Sequence, residues 1–163
     1  MDDYIILCDI DGVLAWIDHR LHYLKEKDYE NFYSVASLSA DLPIVSGRRL
    51  LEALQGGSAF KTILVTGRPE RTREATSKWL EKNLIEYDEL LMRKDHDYRP
   101  SPVIKKELVA NILREYDHYD MNYFFIDDDP ANVYALENMS MYISGITFGT
   151  NQFIKLENKD GKE

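Results

Sequence analysis

Short apolar runs alternate along this chain with longer stretches in which apolar residues recur at helical spacing. The first run, Ile5-Ile6-Leu7-Cys8, ends in Asp9-Ile10-Asp11-Gly12 and reads as a buried strand over residues 4–9. Residues 13–40 are aromatic-rich and mixed, which predicts short helical pieces leaning over the end of that strand. Trp16, Tyr23, Phe32 and Tyr33 would form their core. Pro43 precedes a helical stretch over 46–54, stopped by Gly56-Gly57. Residues 60–65 form a second buried strand that runs into Thr66-Gly67-Arg68, and Pro69 suits the first turn of a helix reaching about Leu84. A short strand over 89–92, a polar loop over 93–102 and a helix over 103–115 follow. Tyr123-Phe124-Phe125-Ile126 runs directly into Asp127-Asp128-Asp129, Pro130 opens a helix to about Asn138, and 141–148 give a last strand that Gly145 weakens.

Strands alternating with helices predict an α/β fold, a three-layer sandwich around a mostly parallel, Rossmann-like sheet. One domain would cover 1–155, with a minimal helical cap inserted over about 14–43 and a charged, frayed tail over 156–163. Ligands of such sheets bind beyond the carboxyl ends of the strands. Asp9 and Asp11, Thr66 and Arg68, and Asp127 and Asp128 all fall there, so three distant segments point to one place.

Composition narrows what that place can do. Apolar residues make up 44% of the 163, enough for a sizeable core. No apolar run approaches bilayer length, and the acidic start Met1-Asp2-Asp3 is unlike a secretory signal, so neither membrane nor export is expected. The single Cys8 cannot form an internal disulfide, which fits a cytoplasmic location; among acids it reads as core rather than as a reactive thiol. Asp and Glu outnumber Lys and Arg by 29 to 20, a formal charge of −9. Wrapping of an extended duplex is therefore disfavoured, whereas a local cationic pocket for one phosphate is not.

Carboxylates at the end of a buried run are costly unless cations meet them. The set that would meet them carries a resemblance. Asp9-Ile10-Asp11-Gly12-Val13, Thr66-Gly67-Arg68, Lys105 and Ile126-Asp127-Asp128 resemble, in order, the four motifs of the haloacid dehalogenase-like phosphohydrolases. The resemblance implies a phosphatase in which Asp9 is the nucleophile of an aspartyl-phosphate and Asp11 the general acid and base. It also implies Mg2+ held by the Asp9 and Asp127 carboxylates and the Asp11 carbonyl, with Asp128 supporting the metal shell. Thr66 and the Gly67 amide would hold phosphate oxygens and Lys105 would offset developing charge, with Lys106 as its neighbouring alternative.

Thr66-Gly67-Arg68, an Arg-containing helix after it and the late Ile126-Asp127-Asp128 resemble more narrowly the 3′-phosphatase domain of polynucleotide kinase/phosphatases, where the Arg contacts the phosphate region. With so small a cap, this implies an open site for a nucleic-acid 3′-phosphate end. A small metabolite or nucleoside monophosphate is the alternative substrate, and a phosphate-binding regulatory module the non-enzymatic one. Gly56 to Thr62 superficially resemble a phosphate loop, but they lack the Gly before Lys61 and precede a strand instead of following one. Asp129 before Pro130 reads as a helix cap rather than a ligand. His19 and His22, at helical spacing, read as a surface face of the cap rather than a metal pair. Tyr98 and Arg99 either line the entrance, on base and phosphate, or sit in a solvated turn.

Overall fold

The computed structural model describes residues 3–116 and 121–149; the tail expected over 156–163 lies outside the described residues. Strand β1 (Tyr4–Cys8) is central. A two-residue strand β2 (Ala15–Trp16) and a 3-10 turn (Asp18–Arg20) lead into three short helices, α1 (Leu21–Lys25), α2 (Tyr29–Phe32) and α3 (Val35–Ser39). Strand β3 (Leu42–Pro43) then returns antiparallel to β2, so the cap stands on a small ribbon that the hydrophobic pattern did not reveal. Next come α4 (Val45–Gln55), β4 (Ala59–Pro69), α5 (Arg73–Lys82), β5 (Glu89–Arg93), α6 (Ser101–Glu115), β6 (Asn122–Asp127), α7 (Pro130–Glu137) and β7 (Ile143–Thr147).

The main sheet has the order β5-β4-β1-β6-β7, and every neighbouring pair is parallel. Successive side chains of a strand point to opposite faces, and β1 divides its residues accordingly. Ile6 and Cys8 pack with Leu51 of α4 and with Trp79 and Leu80 of α5. Ile5 and Leu7 pack with Val109 and Ile112 of α6 and with Val133 and Leu136 of α7. A near-continuous apolar strand is what a sheet covered on both faces requires. Cys8 is fully buried, and burial followed by the charges of Asp9 and Asp127 pushes its thiol up, so it is packing, not chemistry.

Two expectations change. Pro69 does not open a helix: it is the last residue of β4, with extended backbone (ψ 150°), a 3-10 turn occupies Glu70–Thr72, and the helix begins at Arg73. The pairing register of β4 on β5 slips between Thr66 and Pro69, making a bulge at Gly67 and Arg68. Bulges re-aim side chains, and this one turns Arg68 inward. Gly145 is also no weak point. A Cβ there would lie 2.3 Å from Val133 Cγ1, and the Gly145 amide donates to Glu137 Oε1 at 2.9 Å, so glycine lets α7 close onto β7.

Candidate active site

The strands β4, β1 and β6 are adjacent, and their carboxyl ends bring Thr66, Asp9 and Asp127 together. The Asp9 amide donates to the Ile126 carbonyl at 2.9 Å, extending the β1–β6 ladder and fixing where the first carboxylate stands. Asp9 Oδ1 accepts from the Ile10 amide at 2.8 Å, and its Oδ2 faces Lys105 Nζ at 2.8 Å. Lys105 reaches Asp127 Oδ2 at 2.5 Å as well. It projects from the buried side of α6 at 1% exposure, whereas Lys106 is exposed, which decides between the two lysines as partner of the carboxylates. Burial pushes Asp9 well above the usual carboxylate range against the pull of Lys105, with Asp127 and Asp11 adding to the rise. For Lys105 burial acts downward, but Asp9 and Asp127 outweigh it and keep the ammonium charged.

Asp127 is fully buried and completely engaged: its Oδ1 accepts from the Asp129 amide at 2.9 Å and from Asn132 Nδ2 at 3.1 Å. Asn132, on the first turn of α7, thereby orients the carboxylate. The Asp129 side chain accepts from the Ala131 amide at 2.9 Å, so it is the cap of α7. Asp128 opens to solvent, and partial desolvation followed by the charge of Asp127 pushes its carboxyl up to about 6. Gly12, with φ +82°, turns the chain beneath it, and a Cβ there would fall 2.1 Å from Asp128 Oδ2. Carboxylate oxygens of Asp9, Asp127 and Asp128 lie within 4.8 Å of one another, an all-oxygen set that fits a hard divalent cation.

The Asp11 carboxylate is not in that set; it points to the arginines. Its Oδ1 accepts from Arg68 Nε at 3.0 Å, Arg68 Nη2 at 2.6 Å and Arg20 Nη2 at 2.9 Å. Burial alone would push this carboxyl up, but the guanidiniums of Arg68 and then Arg20 prevail and hold it below the usual range. Asp41 closes the cluster, taking Arg20 Nε at 2.8 Å and Arg68 Nη2 at 2.8 Å. Arg20, Arg68 and Asp41 are all buried. Phe32 lies 4.3 Å below the Arg20 guanidinium, and Trp79 Nε1 donates to the Asp41 carbonyl at 2.8 Å.

Arg68, expected on the phosphate, is therefore committed to carboxylates in this structure. Thr66 is buried at the strand end, its Oγ1 accepting the Arg68 amide at 3.2 Å. The Gly67 carbonyl accepts from Tyr33 Oη at 3.3 Å and Arg93 Nε at 2.9 Å, leaving cap, bulge and loop tied to one atom.

Sequence reading missed Arg20, Asp41, Asn132 and Arg93. Arg20 and Asp41 are charged residues amid an aromatic-rich insertion, a signal only in retrospect. Of the cap aromatics, Phe32 is buried and Tyr33 half-buried, but Trp16 is exposed at 40% beside the Asp128 recess. His19 Nε2 lies 3.0 Å from the Ser37 carbonyl, while His22 packs on Tyr23 with ring centroids 3.9 Å apart, so the two rings serve different neighbours. Arg99 is bound to Asp97 and Glu107 and is not free for phosphate.

The sequence profile of the polynucleotide kinase PNKP phosphatase domain matches residues 3–149. The chain belongs to that family. It is a phosphatase of the haloacid dehalogenase type, as its order of motifs implied. Among solved structures, Pnkp1 of a Pnkp1/Rnl/Hen1 RNA repair complex is 30% identical over 92% of this chain, with a TM-score of 0.67. This chain covers 44% of that Pnkp1 chain, less than half its length. A haloacid dehalogenase-like hydrolase from Streptococcus pneumoniae (15% identity, TM-score 0.66, covering 96% of this chain and 90% of that one) shares the fold. So does the D,D-heptose 1,7-bisphosphate phosphatase from B. bronchiseptica, crystallised with magnesium and phosphate (15%, TM-score 0.62, 98% and 88%). No curated protein matches significantly in sequence. No helix among the described residues is long and apolar enough to cross a membrane.

Proposed function

We propose that the protein is a Mg2+-dependent phosphomonoesterase that works through an aspartyl-phosphate and removes a 3′-phosphate from a nucleic-acid or nucleotide end. The observation that carries the reading is the division between its two motif carboxylates. Asp9 lies among Lys105, Asp127 and Asp128, while Asp11 is turned away into the arginine cluster. One carboxylate thus stands beside a lysine and two further acids that can share a metal, and the other is held apart by arginines, a division that suits attack and proton transfer.

Asp9 Oδ2 attacks phosphorus, the bond from phosphorus to the leaving oxygen breaks, and Asp11 delivers a proton to that oxygen. In the second half a water attacks the aspartyl-phosphate, Asp11 takes its proton, and inorganic phosphate and free Asp9 result. The arginines keep resting Asp11 ionised, which suits the second half. For the first half it takes up a proton when the incoming phosphate competes for Arg68. Thr66 and the Gly67 amide hold phosphate oxygens, and Lys105 offsets the charge that grows on them. When bound to Asp9, Asp127 and the Asp11 carbonyl, with Asp128 behind a water, Mg2+ would neutralise the carboxylates and polarise the phosphate.

The family and the 30% identity to Pnkp1 support the nucleic-acid end. Phosphate release with Mg2+ from a 3′-phosphorylated oligonucleotide, a 3′-nucleotide, a 5′-nucleotide and a sugar phosphate, ranked by kcat/KM, tests it. The oligonucleotide is expected first; if it ranks below sugar phosphates, the nucleic-acid reading fails. Asp9→Asn is expected to abolish turnover on every substrate, and undiminished turnover would overturn the aspartyl-phosphate.

A further inference from the structure

A pocket of about 260 Å³ opens between the cap and the loop after β5. Tyr29 and Tyr33 line its cap side, Arg93, Lys94 and Tyr98 its loop side, and Arg71 its floor. Both walls are anchored on the phosphate motif. Tyr33 and Arg93 each donate to the Gly67 carbonyl, and Arg93 Nη1 also holds the loop by donating to the Asp97 and Arg99 carbonyls at 2.9 Å each. Tyr33 Oη lies 3.3 Å from the Gly67 carbonyl, so the pocket begins beside the phosphate motif.

The pocket's character departs from that of the protein. A chain of net charge −9 gathers arginines and a lysine here, beside exposed tyrosine rings: Tyr98 is 72% exposed and Tyr29 43%. Arg71 lies 3.7 Å from Asp95 and Lys94 3.9 Å from Glu107, pairs whose side chains are well exposed. Such loose surface pairs exchange for phosphate at little cost. The recess on the opposite flank, beside Asp128, is lined by Trp16, Asp18 and Phe148 and has no cation among the described residues. Of these two recesses, a polyanion leaving the catalytic carboxylates is favoured by the one that carries Arg71 and Lys94.

We propose that this pocket is a nucleoside subsite for a single-stranded 3′ end: the base of the terminal nucleotide stacks on Tyr98, and the phosphodiester on its 5′ side lies against Arg71 and Lys94. The Tyr29 and Tyr98 rings, 6.0 Å apart and inclined by 51°, are too close to take a base between them, so it lies on the open face of Tyr98. The volume falls just below the range of roughly 300–1,000 Å³ usual for small-ligand pockets. It suits one nucleoside. This inference rests on the proposed 3′-phosphatase activity and names what that activity recognises.

The test compares two 3′-phosphorylated single-stranded oligonucleotides, one with a terminal thymine and one with a terminal abasic sugar, in the wild type and in Tyr98→Ala. A stacked base contributes about ten-fold. The wild type is expected to prefer the base-bearing end about ten-fold in kcat/KM, through KM, and Tyr98→Ala to lose that preference. Equal losses on both substrates, or a preference kept in Tyr98→Ala, would overturn the subsite. The double variant Arg71→Ala, Lys94→Ala is expected to flatten the salt dependence of KM for the oligonucleotide relative to thymidine 3′-monophosphate; an unchanged slope removes the phosphodiester contact. A wild type that favours glycerol 2-phosphate over both oligonucleotides would instead sink the 3′-phosphatase reading itself.

Discussion

Arg68 reaches Asp11 with two donors, Nε at 3.0 Å and Nη2 at 2.6 Å, and both end on the same oxygen, Oδ1. Arg20 Nη2 meets that oxygen at 2.9 Å, and the Nη2 groups of both arginines also donate to Asp41 Oδ2, so two cations and two anions close a box with only Asp11 part-exposed. Removing one partner of a buried ion pair costs about 3–5 kcal/mol, because its counterpart stays behind uncompensated. Arg20→Met keeps volume but leaves two carboxylates to one arginine. We expect it to lower unfolding free energy by about that amount in urea titration, and kcat to fall because Asp11 loses a fixed direction.

Arg68→Lys separates charge from geometry. Lysine keeps the positive charge but cannot donate the fork that Asp11 and Asp41 share. A fall in kcat of about ten-fold or more, with a smaller loss of stability than in Arg20→Met, is expected from parallel kinetics and denaturation. Unchanged kcat would mean that the fork does not position Asp11.

Much of this architecture was legible in the sequence, and particular residues say why. Asp9, Thr66 and Asp127 end or flank apolar strand runs, and a parallel sheet must bring such ends together. The Arg68 environment was not legible, because it depends on a slip in the register of β4 against β5 and on the path of the cap. Pro69 misled for the same reason: its fixed φ suits a helix start and an extended strand end alike. Asp41 lies far along the chain from Asp11, at the far end of the cap, yet both face the same two guanidiniums. Nothing local marks such a pairing.

Gly12 gives a metal-side prediction. Its φ of +82°, and the 2.1 Å that would separate an alanine Cβ from Asp128 Oδ2, leave alanine no room unless Asp128 moves. Left-handed backbone costs a non-glycine residue about 1–2 kcal/mol. Gly12→Ala is expected to shift the Mg2+ activation curve to higher concentration and to lose a comparable amount of stability. An unmoved activation curve would remove Asp128 from the metal shell.

Asp129 should separate cleanly from its neighbours. Its side chain caps α7 through the Ala131 amide, and losing an N-cap costs about 1 kcal/mol. Asp129→Ala is expected to be less stable by that amount with an unaltered Mg2+ requirement. A raised Mg2+ requirement would make it a ligand after all.

Lys105 joins the two halves of the site, 2.8 Å from Asp9 Oδ2 and 2.5 Å from Asp127 Oδ2 at 1% exposure. Lys105→Met leaves both carboxylates buried and facing each other without their cation. Without divalent ions the variant should be destabilised by about 3–5 kcal/mol. A ligand that binds only the folded state adds stability as its concentration exceeds its dissociation constant, about 2.7 kcal/mol at a hundred-fold excess. Mg2+ should therefore raise the Tm of Lys105→Met more than that of the wild type, because it meets carboxylates that no ammonium neutralises. Stability and activity should then part. Loss of a charge-stabilising donor costs about 10²–10³ in kcat, and saturating Mg2+ is not expected to recover it if, as proposed, Lys105 acts on phosphate oxygens as well as on carboxylates. Lys106→Met, on the exposed side of α6, supplies the comparison and should move neither Tm nor kcat. If Mg2+ restored kcat together with Tm, Lys105 would be a counterion of Asp9 and Asp127 only.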